Sequence, residues 1–216
     1  MFSKLLNKEF KLSIHPTNII FLSLVLMMMI PNYPYYVNFF YMTLGIFFMC
    51  LTGRENKDIY YMLMLPVRKS DIVKARVSTI VIFELVQFVL AVPVTILRNV
   101  VIKEGNAAGM DANIAFFGIA LVMTGLFNLV FLSIYYGDTN KVGKAFIFGS
   151  TAEFMFMGIA EVLTHTVPFF KDVLDTPDPL NLTPKLIVLA LGIVIYAALT
   201  VIAYGKSVKS FNRLDF

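Results

Sequence analysis

The chain has 216 residues, of which 58% are hydrophobic and 15% are charged, and its formal net charge is +4. A soluble domain has about 45–50% apolar and about 25% charged residues, so this composition excludes an ordinary soluble protein. The basic residues lie in segments between apolar runs and not on one folded face, which excludes a nucleic-acid-binding domain. We therefore predict an all-α polytopic membrane protein with one transmembrane domain over residues 1–216.

The first fifteen residues form an amphipathic pattern at helical period. Phe2, Leu5 and Phe10 fall broadly on one face, and the three lysines of this segment fall on the other. The pattern predicts a helix over residues 1–15 that lies in the membrane interface, with its lysines near anionic lipid headgroups. Glu9 falls toward the apolar face and fits this pattern poorly.

Six apolar runs follow, and each is predicted to form a spanning helix. Such a helix needs about 20 mostly apolar residues, and the first two runs are short by this measure. The predicted spans are 17–30, 36–52, 72–97, 113–136, 144–167 and 185–204. A proline- and phenylalanine-containing segment, residues 165–184, predicts an extracellular re-entrant or surface-lying stretch between the last two spans.

The basic residues are distributed unequally between the two sides of these spans. Fourteen of the 18 lie at the two termini, between spans two and three, or between spans four and five. Because cytoplasmic loops carry the excess of Lys and Arg, both termini are predicted to be cytoplasmic. Residues 55–71 then form a charged, amphipathic cytoplasmic segment, in which a short helix ends at Leu65-Pro66 before span three begins.

Three acidic residues, Glu84, Glu153 and Glu161, fall inside predicted spans. A charge at the centre of a bilayer costs at least about 2.5–3.5 kcal/mol, so these residues are functional candidates, and we expect no Lys or Arg inside a span to pair with them. Either the acids line a translocation path or they are neutral and join helices through hydrogen bonds. The candidate path residues are Glu84, Gln87, Glu153, Met157 and Glu161.

Motifs for catalysis or metal binding are missing from the sequence. There is no His-Glu-x-x-His, Cys-x-x-Cys, Gly-x-Ser-x-Gly or P-loop pattern. The two histidines, His15 and His165, are predicted to lie about one membrane thickness apart and so to share no metal. We expect no catalytic residue, no metal site and no cofactor bound by this chain.

Residues 65–76, Leu-Pro-Val-Arg-Lys-Ser-Asp-Ile-Val-Lys-Ala-Arg, resemble a pattern common in small bacterial permeases of the ABC-2 type, and residues 55–64 resemble the helix that precedes it. The resemblance implies six spans, an interfacial N-terminal helix, and a cytoplasmic coupling helix between spans two and three. It implies a separate ATPase subunit that binds ATP and Mg, and a second permease copy or a sister permease. It also implies the bacterial cytoplasmic membrane, with lipid around the chain.

Small permeases that resemble this chain export amphipathic peptides, such as phenol-soluble modulins, or serve lantibiotic export. The resemblance therefore implies an ATP-driven exporter of amphipathic or hydrophobic peptides, with residues 55–65 docking on the ATPase. The implied docking residues are Glu55, Lys57, Asp58, Tyr60 and Tyr61, with Arg68, Lys69 and Asp71 at the corner behind them. Two alternatives stay open: an ion-coupled carrier that uses Glu84 and Glu153, and a membrane protein that binds a toxin peptide for immunity without transporting it.

Overall fold

The computed structural model describes residues 2–13, 16–102 and 104–214, and these ranges form helices joined by loops, with no strand among them. The all-α prediction is confirmed. In chain order the helices are α1 (Phe2–Lys8), which continues as a π-helical turn (Glu9–Ser13), α2 (Pro16–Ser23), which continues as a 3₁₀ helix (Leu24–Met29), α3 (Tyr36–Glu55), α4 (Asp58–Leu63), α5 (Lys69–Val101), α6 (Ile114–Tyr135), α7 (Val142–Thr166), a second π-helical turn (Phe169–Leu174) and α8 (Leu182–Asn212).

Five of these helices, α3, α5, α6, α7 and α8, are long and apolar enough to cross a membrane. They correspond to the last five predicted spans. The first predicted span is short, as expected, because α2 and its 3₁₀ continuation cover only about 24 Å against a hydrocarbon core of about 30 Å. A sixth crossing exists only if Phe2–Ser13 and Pro16–Met29, whose axes differ by 82°, count as one broken span. Residues 1, 14 and 15 of the predicted interfacial helix lie outside the described residues.

The predicted helix over residues 55–65 is divided in two. Glu55 ends α3, and α4 starts at Asp58, after Lys57 has adopted a left-handed conformation with φ of 52°. Helix α5 is longer at both ends than the predicted span, so it includes Arg98 as well as Arg76, and both side chains are buried. The expectation that no basic residue lies inside a span is therefore wrong.

Helix α6 packs between α7 and α8, and it approaches α8 most closely at two glycines. A Cβ atom on Gly118 would lie 2.6 Å from the carbonyl oxygen of Val188, and a Cβ on Gly192 would overlap the backbone of Gly118. The two helix backbones therefore touch directly, as small residues allow in membrane helix pairs.

The bundle has two ends and a distinct middle. One end carries α1, α4 and the last turn of α8, and we call it the terminal end because the first helix of the chain and the end of the last helix lie there. Lys69 Nζ at this end donates to the carbonyl oxygen of Leu214 at 2.7 Å. The far end carries residues 104–113 and 167–181, and the Asn113 side chain there donates to the carbonyl oxygen of Leu174 at 2.7 Å. The predicted surface segment 165–184 thus begins in the last turn of α7, and its Leu174 side chain is buried at this end.

Apolar side chains fill the bundle in two separate clusters, one toward each end. Between them lies a layer of fully or almost fully buried polar side chains, which we call the polar layer. Its members are Asn38 and Thr43 on α3, Glu84 and Gln87 on α5, Asn128 on α6, Glu153 on α7 and Thr200 on α8. Each spanning helix contributes to it, so the middle of the bundle is its most polar buried region.

Candidate functional site

A buried group of charges, which we call the ion cluster, lies at the terminal end where α1, α4 and α5 meet. The Arg76 guanidinium contacts Glu9 through Nε at 2.5 Å and Asp58 through Nη2 at 2.5 Å. Lys8 contacts both acids, at 3.1 Å from Glu9 and with a close contact to Asp58. The hydroxyl of Ser13 lies 3.3 Å from Arg76 Nη2. Two cations and two carboxylates therefore neutralise one another in a buried site.

Space for this guanidinium is provided by helix α3. A Cβ atom on Gly53 would lie 3.1 Å from Arg76 Nη1, which is tighter than an ordinary contact. Glycine at this position lets α3 pass close to the charged group, so four helices pack around the ion cluster. The sequence signal for the cluster was the misfit of Glu9 in its amphipathic pattern, because a carboxylate on an apolar face needs a partner.

The surroundings of Glu9 determine its ionisation. Burial by itself raises the pKa of this carboxyl, but the charges of Arg76 and Lys8 outweigh burial and hold the pKa below its ordinary value of 4.5. A carboxyl whose pKa is lowered on folding stabilises the folded state above its unfolded pKa. That contribution disappears as the pH falls below 4.5 and through the folded-state pKa.

We therefore expect the melting temperature of the wild-type protein to fall on acidification below pH 4.5 more steeply than that of Glu9→Gln. The two proteins should differ most near neutral pH and converge in acid. Thermal unfolding followed by circular dichroism over a pH series measures both curves. Parallel curves for the two proteins would show that the Glu9 charge contributes nothing to folding.

The residues expected to dock on an ATPase do not all face outward. Glu55 and Lys57 are exposed, as are Tyr60 and Tyr61, whose exposed fractions are 40% and 61%. Asp58 instead turns into the ion cluster, because Arg76 and Lys8 lie within reach of its carboxylate.

The predicted corner behind the docking residues is partly exposed. Arg68 is exposed, Lys69 and Asp71 are half-buried, and Met64 between the corner and α4 has an exposed fraction of 83%. Sequence reasoning did not select Met64. Exposed apolar side chains therefore lie beside exposed charges at this end, an arrangement typical of a protein–protein contact.

Glu84 lies at the centre of the polar layer. Its Oε2 atom accepts hydrogen bonds from the Tyr196 hydroxyl at 2.6 Å and from Asn128 Nδ2 at 2.9 Å. Gln87, one helical turn further along α5, donates to the carbonyl oxygen of Asn38 at 3.4 Å. Hydrogen bonds thus join four helices around Glu84 and Gln87. The partners Asn38, Asn128 and Tyr196 were not predicted from the sequence, because uncharged polar residues are common in apolar runs.

The other predicted path residues make three different kinds of contact. Glu153 is fully buried and lies 2.8 Å from the Thr43 hydroxyl. Met157 is half-buried against the far-end apolar cluster. Glu161 lies near the far end, where it accepts a hydrogen bond from the Met110 amide at 3.1 Å. Glu84 and Glu153 share the polar layer, whereas Met157 and Glu161 lie outside it.

A large apolar groove runs along the bundle beside the polar layer. It has a volume of about 820 Å³ and is lined by α5, α6 and α8. Polar side chains, including Asn99 and Asp178, lie at its far end. Tyr196 lines the groove and also hydrogen-bonds Glu84, so this side chain contacts both the groove and the polar layer.

Comparison with known proteins gives one match. A family described as ABC-2 family transporter protein matches residues 4–212. No curated protein and no solved structure matches the chain significantly. The family match covers the ion cluster, the exposed side of α4 and the polar layer, so all three groups of candidate residues lie inside the matched region.

Proposed function

Because this chain belongs to the ABC-2 family of transporter proteins, and so is a membrane permease of an ABC transporter, we propose that it exports amphipathic or hydrophobic peptides. ATP and Mg would bind to a separate ATPase subunit. A second copy of the chain, or a sister permease, would complete the transporter in the bacterial cytoplasmic membrane. The terminal end would face the cytoplasm, as the distribution of Lys and Arg favours.

The observation that carries the coupling part of this proposal is the position of α4. This short helix lies at the terminal end, exposes Tyr61 and Met64, and is joined to α1 and α5 through Asp58. An ATPase that moved α4 would therefore pull on Arg76, near the start of α5, and on Lys8 at the end of α1. Asp58 would transmit the movement, while the aromatic and apolar side chains of α4 would make the contact.

The apolar groove supports the proposed class of cargo. Its walls are almost entirely hydrophobic, so an apolar side of a peptide can lie against them without losing hydrogen bonds to water. Asn99, Asn113 and Asp178 lie at its far end, where a cargo would leave toward the outside. Tyr196 would then link cargo in the groove with Glu84 in the polar layer.

Affinity purification from the native membrane tests the proposed function. We expect an ATPase subunit to co-purify in stoichiometric amount, and the complex to drive uptake of an amphipathic helical peptide into inside-out vesicles when ATP is added. Uptake should continue when a protonophore collapses the proton gradient. A preparation without an ATPase, or uptake abolished by the protonophore, would favour the ion-coupled carrier.

We expect the double substitution Tyr61→Ala and Met64→Ala to weaken binding of the ATPase by about 30-fold or more, because exposed aromatic side chains often dominate such interfaces. Arg213→Ala is the matched control, since Arg213 is exposed at the same end but follows α8. Surface plasmon resonance on the two variants measures the effect. If both variants bind the ATPase like the wild type, α4 is not the docking surface.

A further inference from the structure

Hydrogen-bond acceptors outnumber donors in the polar layer. Five fully buried residues in this layer each have a side-chain oxygen without a hydrogen-bond partner: Asn38, Glu84, Gln87, Asn128 and Glu153. Among the described residues of the layer, every side-chain nitrogen already has a hydrogen-bond partner. Buried acceptors need a hydrogen-bond donor or a positive charge, so these oxygens are able to act as ligands of a cation.

Three of these free oxygens belong to Glu84, to its hydrogen-bond partner Asn128 and to Gln87, its neighbour on α5. The Tyr196 and Asn128 donors both point to Oε2, which leaves Oε1 free. Asn128 uses its Nδ2 on Glu84 and keeps a free Oδ1, and Gln87 keeps a free Oε1 one helical turn away. Two donors on one carboxylate oxygen stabilise the ionised form, which then needs a compensating positive charge.

Protein cations do not supply that charge. Arg76 is held by Glu9 and Asp58 in the ion cluster, and Arg98 is held by Asp111 at 3.4 Å near the far end. The charged or titratable groups that face Glu84 are Tyr196 on α8 and Glu153 on α7. Helices α3 and α6 contribute only amide and hydroxyl groups to the layer, so no cation among the described residues neutralises Glu84.

The contacts of Glu153 fit a neutral acid. The Thr43 hydroxyl lies 2.8 Å from the Phe40 carbonyl oxygen and 2.8 Å from Glu153, yet it has only one hydrogen to donate. Threonine hydroxyls in helices commonly donate to the carbonyl three or four residues earlier. Glu153 then has to donate to Thr43, and it can do so only when it is protonated. Glu84, whose Oε2 atom accepts two hydrogen bonds, is then the carboxylate of the polar layer whose contacts favour a charge.

We propose that Glu84, together with the side-chain oxygens of Gln87 and Asn128, binds a monovalent cation, Na⁺ or a proton, at the centre of the bundle. One carboxylate with neutral amide oxygens matches a single positive charge and the preference of hard cations for oxygen. In the described part of the chain no three His, Cys, Asp or Glu side chains come together as a divalent metal would require. The cation would lie next to Tyr196 and so next to the apolar groove.

Thermal unfolding of the purified full chain in detergent tests this site without any ATPase, so its outcome is independent of the proposed export function. A thiol-reactive dye reports unfolding, because Cys50 is the single cysteine and is buried. Raising Na⁺ from about 1 to about 150 mM, with choline keeping the ionic strength constant, should raise the melting temperature by about 3–6 °C. If the cation is a proton, the Na⁺ series stays flat, and the melting temperature rises instead from about pH 8.5 to about pH 5.5.

The variants decide where the cation binds. Glu84→Gln keeps the shape of the side chain and removes its charge, so it should abolish the response to Na⁺, or the part of the pH response that Glu84 carries. Glu153→Gln is the matched control, and it should retain the response to Na⁺ and the part of the pH response that Glu84 carries. If Glu84→Gln does not fold, Gln87→Leu should raise the cation level for half-saturation at least about tenfold. A wild-type protein that responds to neither cation, or a Glu84→Gln or Gln87→Leu variant that responds like wild type, overturns the proposal.

Discussion

Arg76→Ala is expected to lower the free energy of unfolding by about 3–5 kcal/mol, because it leaves two carboxylates, Glu9 and Asp58, to share the single charge of Lys8. The side chains of Arg76 and Glu9 have exposed fractions of only 4% and 3%, so water cannot replace the lost guanidinium. Asp58 would retain only Lys8. The substitution would also release α1 and α4 from α5, because the guanidinium contacts both of the other segments.

Arg54→Ala is the matched control for this prediction. Arg54 lies at the same end and pairs with Glu55 at 3.8 Å, but both side chains are exposed, so the expected change is within about 1 kcal/mol. Chemical denaturation of the detergent-solubilised protein, followed by circular dichroism, measures both variants. Equal stability of Arg76→Ala and Arg54→Ala would mean that the ion cluster does not hold the terminal end together.

Gly192→Ala and Gly205→Ala are expected to change stability in opposite directions, although both lie on α8. The added methyl at position 192 would overlap the Gly118 backbone, and forcing α6 and α8 apart should cost about 1–3 kcal/mol or more. The methyl at position 205 would meet nothing within 4 Å. Alanine there should stabilise the helix by roughly 0.5–1 kcal/mol, because glycine loses more backbone entropy on folding.

The same denaturation experiment separates the two glycines. A Gly192→Ala protein as stable as Gly205→Ala would show that α6 and α8 do not pack backbone to backbone. The result matters for the proposed transport mechanism, because α6 and α8 together line the apolar groove and carry Asn128 and Tyr196. A separation of these helices would pull both hydrogen bonds away from Glu84.

The ion cluster and the polar layer have different consequences for a transporter. The cluster connects α4 with α1 and α5 at one end, so it is suited to transmit movement from a partner subunit. The polar layer connects the five long helices at mid-height, and its contacts are hydrogen bonds to neutral or singly charged groups. Helix α5 belongs to both, with Arg76 and Glu84 two helical turns apart, and it is therefore the element through which one could affect the other.

The amino-acid sequence alone was sufficient to predict the helical class and the last five spans, and to select Glu84 and Glu153 as candidate functional residues. Each of these depends on local properties, namely the length of an apolar run and the cost of a carboxyl group inside it. The ends of the helices were predicted less accurately. The helix predicted over residues 55–65 is two segments in the structure, because the left-handed backbone conformation of Lys57 cannot be recognised from the hydropathy pattern.

Only the tertiary structure decided which partners these residues have. Arg76 meets Glu9 from 67 positions earlier, and Glu84 meets Tyr196 from 112 positions later. No periodicity within a single helix carries that information, because the pairing depends on how neighbouring helices are rotated and how closely they approach. That rotation follows from packing, including the contact of α6 and α8 at Gly118 and Gly192, which turns Asn128 and Tyr196 toward the same carboxylate.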